Sequence, residues 1–159
     1  QLDREKDSNY TLIITASDQG DAPRSATIAI DFTVLDINDF TPRFSPETLI
    51  IHVKENEEDP SELTHQVLAL DEDLGINSQL NYFMHKENRD GLFSVTPNGV
   101  FKILHGLDRE KESFFTVIIT AVDSGFPPLT GTLTIHIIVD DVNDNHPEFS
   151  EEVYNTIVS

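Results

Sequence analysis

Oxygen-bearing side chains gather in short phrases along this chain: Asp3 with Glu5; Asp36 with Asn38 and Asp39; Asp71 with Asp73; and Asp123. Carboxylates and amides are hard ligands, and a hard cation such as calcium takes about six to eight oxygens from carboxylates, side-chain amides and backbone carbonyls. No single phrase supplies that number, so a site would have to be shared where several segments converge. Within the phrase 36–39, Ile37 offers a backbone carbonyl. Neighbouring side chains of an extended linker point in opposing directions, so Asp36 and Asn38 can face differently from Asp39 and one segment can serve ions on both sides.

The phrases recur at a fixed distance. D-I-N-D-F-T-P-R-F at residues 36–44 returns as D-V-N-D-N-H-P-E-F at 141–149, L-D-R-E at 2–5 returns at 107–110, and A-x-D-x-G at 16–20 returns at 121–125. Residues 1–45 laid on 106–150 without a gap give 23 identities, a unit of fold as well as of charge. The spacing exceeds the roughly 20–50 residues of solenoid repeats and suits one small independently folding domain. The chain divides into the C-terminal part of one repeat (1–38), a complete repeat with its leading linker (39–143), and the linker and first strand of a third (144–159).

Strands must position these acids. Tyr10, Leu12, Ile14 and Ala16 alternate with polar neighbours, and Phe115, Val117, Ile119 and Ala121 repeat the phase. Ile28, Ile30, Phe32 and Val34 are matched in the same way by Leu133, Ile135, Ile137 and Val139. Period-two alternation predicts strands with one committed core face, whose register is fixed because a one-residue slip would expose it. Gly- and Pro-bearing stretches, Q-G-D-A-P and S-G-F-P-P, separate the two strands of each pair. The complete repeat adds strand candidates at 49–53, 62–69, 80–84, 93–95 and 100–103, with turns at 88–91 and 97–99. No amphipathic helix emerges. About seven short strands in such a length predict an all-β fold, tandem Greek-key immunoglobulin-like sandwiches with termini at opposite ends. Pro42 restricts Thr41 to extended conformations and stiffens the lead into the next sandwich, while Phe44 and Phe149 are expected to anchor each lead by burial.

Composition narrows the partners. The net charge is −19, from 29 acidic and 10 basic residues, which disfavours nucleic acid and anionic membrane surfaces and favours cations. There are no cysteines, so no disulfide scaffold is in use. The sequence contains no apolar run long enough to insert in a membrane. A hydrophobic fraction of 38% suffices for a core in an intact domain of this size. Paired carboxylates could in principle hydrolyse glycosides, and a calcium-dependent carbohydrate hydrolase is the remote alternative. Yet these acids repeat with the fold, leaving no isolated pair, and there is no nucleophile elbow, phosphate loop or zinc spacing, so the reading is not an enzyme.

With L-D-R-E, A-x-D-x-G, D-x-N-D-x-x-P-x-F, V-K-E-N at 53–56 and D-E-D-L-G-I-N at 71–77 in order, the chain resembles cadherin extracellular repeats over essentially its whole length. That resemblance implies three calcium ions at each junction between repeats. At the first junction the outer ion would use Asp3, Glu5 and Asp39, and the middle ion Glu5, Asp36, Asp39, Asp73 and the Ile37 carbonyl. The inner ion would use Asn38, Asp71, Asp73 and Asp123, with the carbonyls of Phe40 and Asn77. Phe40 stands where the family usually has asparagine, a change that a backbone oxygen survives. The family's glutamate equivalent to Glu55 would precede residue 1, so only the inner set is complete in this sequence. At the second junction Glu55, Asp108, Glu110, Asp141, Asn143, Asp144 and the carbonyls of Val142 and Asn145 serve the outer ions, and the following glutamate and D-x-D lie beyond Ser159, leaving that end under-coordinated.

The same resemblance implies an extracellular segment of a single-pass plasma-membrane adhesion or recognition protein, of the Fat or Dachsous type or a protocadherin. Its role would be mainly that of a calcium-stiffened spacer. The alternative is a direct homophilic or heterophilic binding module, and the expected partner is another cadherin-superfamily protein. Arg4 and Arg109 are expected to lie beside the acids as local charge compensation. Asn9-Tyr10-Thr11 is an N-glycosylation sequon whose Asn9 alternation turns outward.

Overall fold

In the computed structural model residues 2–56, 63–85 and 91–156 are described. The alternating runs become strands with the expected phase. β1 (Asn9–Ser17) and β2 (Ser25–Thr33) form an antiparallel pair, followed in order by β3 (Arg43–Phe44), β4 (Thr48–Lys54), β5 (Thr64–Gln66), β6 (Ala69–Leu70), β7 (Asn81–Met84), β8 (Phe93–Val95), β9 (Val100–Ile103), β10 (Phe114–Val122) and β11 (Thr130–Asp140). One sheet runs β4-β11-β10-β7, and β4 pairs with β11 in parallel. The opposite layer is built from β3-β6 and β5-β9-β8. Only Val67 and Leu68 separate β5 from β6, so these two pairings are made by consecutive pieces of one extended stretch.

Side chains from the two layers interdigitate as sandwich geometry requires. Phe101, Ile103, Val117, Ile119, Ile135 and Ile137 are fully buried between them. Phe93 stacks on Phe101 at 5.9 Å and meets Phe115 edge-on at 5.4 Å, joining β8 and β9 to β10. The Tyr82 hydroxyl accepts the Ala69 N–H at 2.9 Å, so its polar end is satisfied inside the core.

Four expectations change. The run 62–69 is not one strand, because its two halves pair with different neighbours, β9 and β3; Glu62 itself lies outside the described residues, as do 88–90 of the expected turn. The stripe on β1 and β2 is not core: Leu12, Ile14, Ile28, Ile30 and Phe32 are exposed, since no opposing sheet covers them. Their matches in the complete repeat, Val117, Ile119, Leu133, Ile135 and Ile137, are buried. Phe44 does anchor its linker by burial, whereas Phe149 is 89% exposed and touches Tyr154 at a centroid distance of 6.1 Å. Residues 141–156 contain no strand.

Register is the same in both copies. Tyr10 faces Phe32 and Ser17 faces Ser25, as Phe115 faces Ile137 and Val122 faces Thr130. The strand ends that carry Asp36 and Asp123 are therefore set by pairings the sequence repeats.

Candidate metal centres at the repeat junctions

Local chain geometry places the first group of acids. Asp3 accepts the Lys6 N–H at 3.2 Å and the Lys6 Nζ at 2.6 Å, capping a tight turn in which the Asp7 N–H also bonds the Asp3 carbonyl. The matching Asp108 accepts the Lys111 N–H at 3.0 Å and its Nζ at 2.7 Å. The lysines' hydrogen bonds lower the carboxyl pKa of both Asp3 and Asp108. The turn thus exists in both copies and turns the neighbouring Glu5 and Glu110 toward their junctions.

The linker after β2 is not uniformly extended. The Asp39 N–H bonds back to the Ile37 carbonyl at 3.0 Å, and Asp144 does the same to Val142 at 2.7 Å. These tight turns send Asp36 and Asn38 to different loops. Asp36 Oδ2 accepts the Leu74 N–H and the Asn77 amide, each at 2.9 Å. Asn38 donates to both oxygens of Asp123 at 3.2 Å and to the Pro127 carbonyl at 2.7 Å. Asp73 Oδ2 accepts the Phe40 N–H at 3.2 Å, and Asp71 Oδ1 accepts the Asp73 N–H at 3.0 Å. Asp123 is further fixed by the N–H groups of Gly125 and Leu129.

Two sets of oxygens converge at this junction. Glu5, Asp36 and Asp73 each present a carboxylate oxygen, all within 4.8 Å of one another. Deeper in, Asn38 Oδ1, Asp71 Oδ2 and Asp73 Oδ1 are buried acceptors without a hydrogen-bond donor. Unsatisfied buried acceptors are costly, and the linker and the loop it bonds to through Phe40 and Asp73 carry three of them, which suits a cation. Burial and the neighbouring Asp123 and Asp36 charges push the Asp71 carboxyl upward; burial and the Asp71, Asp36 and Asp39 charges do the same to Asp73. Asp36 is held low: burial acts to raise it, but the Leu74 and Asn77 hydrogen bonds and Arg4 outweigh that. Asp3, Glu5, Asp39 and Phe40 line an open cleft beside these groups, and the Arg43 guanidinium lies 5.4 Å from the Phe40 ring centroid.

At the second junction Glu55 is the buried pivot. Its Oε1 accepts the Val142 N–H at 2.7 Å and its Oε2 the Arg109 N–H at 2.9 Å, and these bonds lower its pKa. Glu55, Asp108 and Glu110 offer oxygens within 4.8 Å of one another. Burial raises the Glu110 carboxyl, with the Glu55 charge adding to it. Asp141 pairs with Arg109 at 3.2 Å, and Asp144 accepts from Asn56 at 2.5 Å and Asn145 at 2.8 Å. Asn143 is exposed.

Four contributors escape a reading of acids alone. The Arg4 guanidinium pairs with Glu5 and Asp36 and donates to the Glu72 carbonyl at 2.5 Å, inside the acidic group and not merely beside it. Asn56, at φ 58°, reaches Asp144 from the end of V-K-E-N. Gly125 makes room for Asn38, and Gly131 makes room for Pro42, whose carbonyl would lie 1.9 Å from a Cβ there. The repeated glycine of A-x-D-x-G was the available signal for Gly125.

A cadherin-domain family model matches residues 50–140. Protocadherin Fat 4 of Mus musculus is 42% identical over 158 residues, covering 99% of this chain and 3% of its own length. Protein dachsous of Drosophila melanogaster is 37% identical over 161 residues, covering 99% of this chain and 5% of its own length. The chain therefore spans a small fraction of these relatives. Among solved structures, a protocadherin gammaB7 EC3-6 cis-dimer aligns with TM-score 0.85 at 31% identity, over 97% of this chain and 37% of that one. Mouse Cadherin-23 EC22-24 aligns with TM-score 0.76 at 34% identity, over 89% of this chain and 45% of that one. Sequence, sandwich topology and the repeated motifs agree, and the chain belongs to the cadherin family, as cadherin repeat structure.

Proposed function

We propose that this segment binds calcium at its repeat junctions and acts mainly as a stiff spacer in the ectodomain of a single-pass plasma-membrane adhesion protein. The observation that carries this reading is the buried, donorless oxygens on Asn38, Asp71 and Asp73 at the first junction, where Asn38 also bonds Asp123 and the Phe40 N–H bonds Asp73. Those four residues, with the carbonyls of Phe40 and Asn77, would hold the inner ion. Glu5, Asp36, Asp39, Asp73 and the Ile37 carbonyl would hold the middle ion, and Asp3, Glu5 and Asp39 the outer one. At the second junction Glu55, Asp108, Glu110, Asp141, Asn143, Asp144 and the carbonyls of Val142 and Asn145 are the corresponding set.

Calcium supplies the positive charge that lets carboxylates from separate segments share one small volume. The chain's own part is to converge those segments. Asp36 ties the linker to the 74–77 loop, while Asn38 ties it to the 123–129 loop. A linker fastened on both flanks hinges less, which is the mechanical property a spacer needs.

A second reading, direct homophilic or heterophilic contact with another cadherin-superfamily protein, is favoured by the cis-dimer described for the gammaB7 relative. Calorimetric calcium titration of the 159-residue chain after chelation tests the first reading: saturable binding that Asp71→Asn and Asp123→Asn each weaken is expected. Binding insensitive to both substitutions would reduce it to diffuse charge attraction. Sedimentation with and without calcium separates the readings, since the second requires calcium-dependent self-association or capture of a cadherin ectodomain.

A further inference from the structure

Arg4 occupies an unusual place for a cation in a site meant for another. Its side chain is 11% exposed, lodged against Glu5 at 18% and Asp36 at 17%. Nε faces Asp36 Oδ1, and one Nη reaches both Glu5 Oε1 and the Glu72 carbonyl. Glu5 and Asp36 are two of the three carboxylates whose oxygens lie within 4.8 Å of one another; the third is Asp73. The guanidinium therefore holds two of the three carboxylates that a divalent ion in this group would need.

The second copy of the motif does something different. Arg109 sends its guanidinium to Asp141 at 3.2 Å, with both side chains well exposed at 44% and 63%. The compact group there is Glu55, Asp108 and Glu110, and Asp141 is not in it. The same L-D-R-E sequence thus places its arginine within the acidic group at one junction and outside it at the other.

We infer that Arg4 is a built-in counter-cation of the first junction: it balances the charge of Glu5 and Asp36 and competes with calcium for them. The inference rests on the proposed calcium reading. Two positive charges a few ångströms apart in a partly buried setting repel strongly, so an ion can enter only as Arg4 gives up Glu5, Asp36 or both. The competition lowers the calcium affinity of this junction and raises the order of the calcium-free state. It makes the first junction respond at higher calcium than its oxygen count alone would set.

The test is a calcium titration of the 159-residue chain, by calorimetry, for wild type and for Arg4→Gln, Arg4→Lys and Arg24→Gln, with thermal melts in chelator alongside. Arg24 is an exposed arginine outside the acidic group and controls for the simple loss of one positive charge. Arg4→Gln is expected to tighten the first-junction binding about tenfold and lower the calcium-free melting temperature, because Glu5 and Asp36 then face each other uncompensated. Arg4→Lys keeps the charge but not the fork, and is expected to tighten binding by about two- to threefold. It carries the comparison if Arg4→Gln does not fold. Arg24→Gln should leave affinity within about twofold of wild type. Unchanged or weaker binding in both Arg4 variants overturns the competition while leaving the calcium reading intact, and an equal gain in Arg24→Gln assigns the effect to net charge. Absence of saturable calcium binding in wild type overturns the calcium reading and the competition with it.

Discussion

Gly125 lies against Asn38 so closely that a Cβ built on the glycine would meet the Asn38 carboxamide carbon at 2.2 Å. The contact joins the linker after β2 to the loop before β11, and it holds the Asn38 amide against Asp123 and Pro127. In the first copy of the motif, Gly20 meets only its own neighbour Asp18, at 3.6 Å, because no linker packs on it. The glycine is demanded by the junction, not by the turn alone.

Gly125→Ala is therefore expected to push Asn38 off Asp123 and cost about 1–3 kcal/mol of stability, as other forced overpacking does. Calcium affinity at the first junction should fall roughly 10–100-fold, the range seen when groups that orient metal ligands are lost. Gly20→Ala is the matched comparison and should change calcium affinity little. Equal losses in the two variants would show that the motif glycine serves the turn.

Asp73→Asn should act in opposite directions with and without calcium. Burial and the Asp71, Asp36 and Asp39 charges raise the Asp73 carboxyl pKa, so near neutral pH its negative charge costs folding free energy in the calcium-free chain. Removing that charge is expected to raise the melting temperature in chelator, while binding in calcium weakens at least about tenfold. Asp21→Asn, in the exposed loop between β1 and β2, should do neither. Melts in chelator and in excess calcium read both signs at once.

Calcium removal should lower the melting temperature reversibly. With an extracellular-range dissociation constant of about 10⁻⁴–10⁻³ M, a tenfold excess of calcium stabilises the bound form by about 1.4 kcal/mol per site. A midpoint indifferent to full chelation would contradict the proposed function.

Matched positions in the two copies should respond unequally. Ile135 is fully buried, and Ile135→Ala is expected to cost about 2–5 kcal/mol. Its counterpart Ile30 is 37% exposed, so Ile30→Ala in this chain should cost well under half as much. Chemical denaturation of the two variants compares them directly.

Asn9 begins β1 and is exposed, with its amide bonded to Ser8 Oγ at 3.0 Å, and Thr11 of its sequon is exposed as well. Expression in a glycosylating secretory host should add a glycan there. Intact mass before and after glycosidase treatment shows the shift, which Asn9→Gln should abolish.

Much of this protein was settled by the amino-acid sequence acting locally. Alternation fixed the strands and their faces, because a strand's side chains can point only two ways, and β1–β2 and β10–β11 took the same register in both copies. The acids at strand ends were legible for the same reason: they interrupt the alternation where the chain must leave the sheet. Asp3 and Asp108 form the same lysine-capped turn because every partner lies within four residues. What local pattern could not decide is everything that depends on a distant segment. The stripe on β2 has the same apolar spelling as that on β11, yet only β11 is buried, since burial needs an opposing layer. The 62–69 run divided because β9 and β3 claim different halves of it. Arg4 and Arg109 share one motif but enter different company, for a long side chain goes where the surrounding charges leave room. The donorless oxygens of Asn38, Asp71 and Asp73 come to one junction only through the meeting of a linker and a loop more than thirty residues apart in sequence, joined where the Phe40 N–H bonds Asp73, a convergence that packing of the folded sandwich alone could bring about.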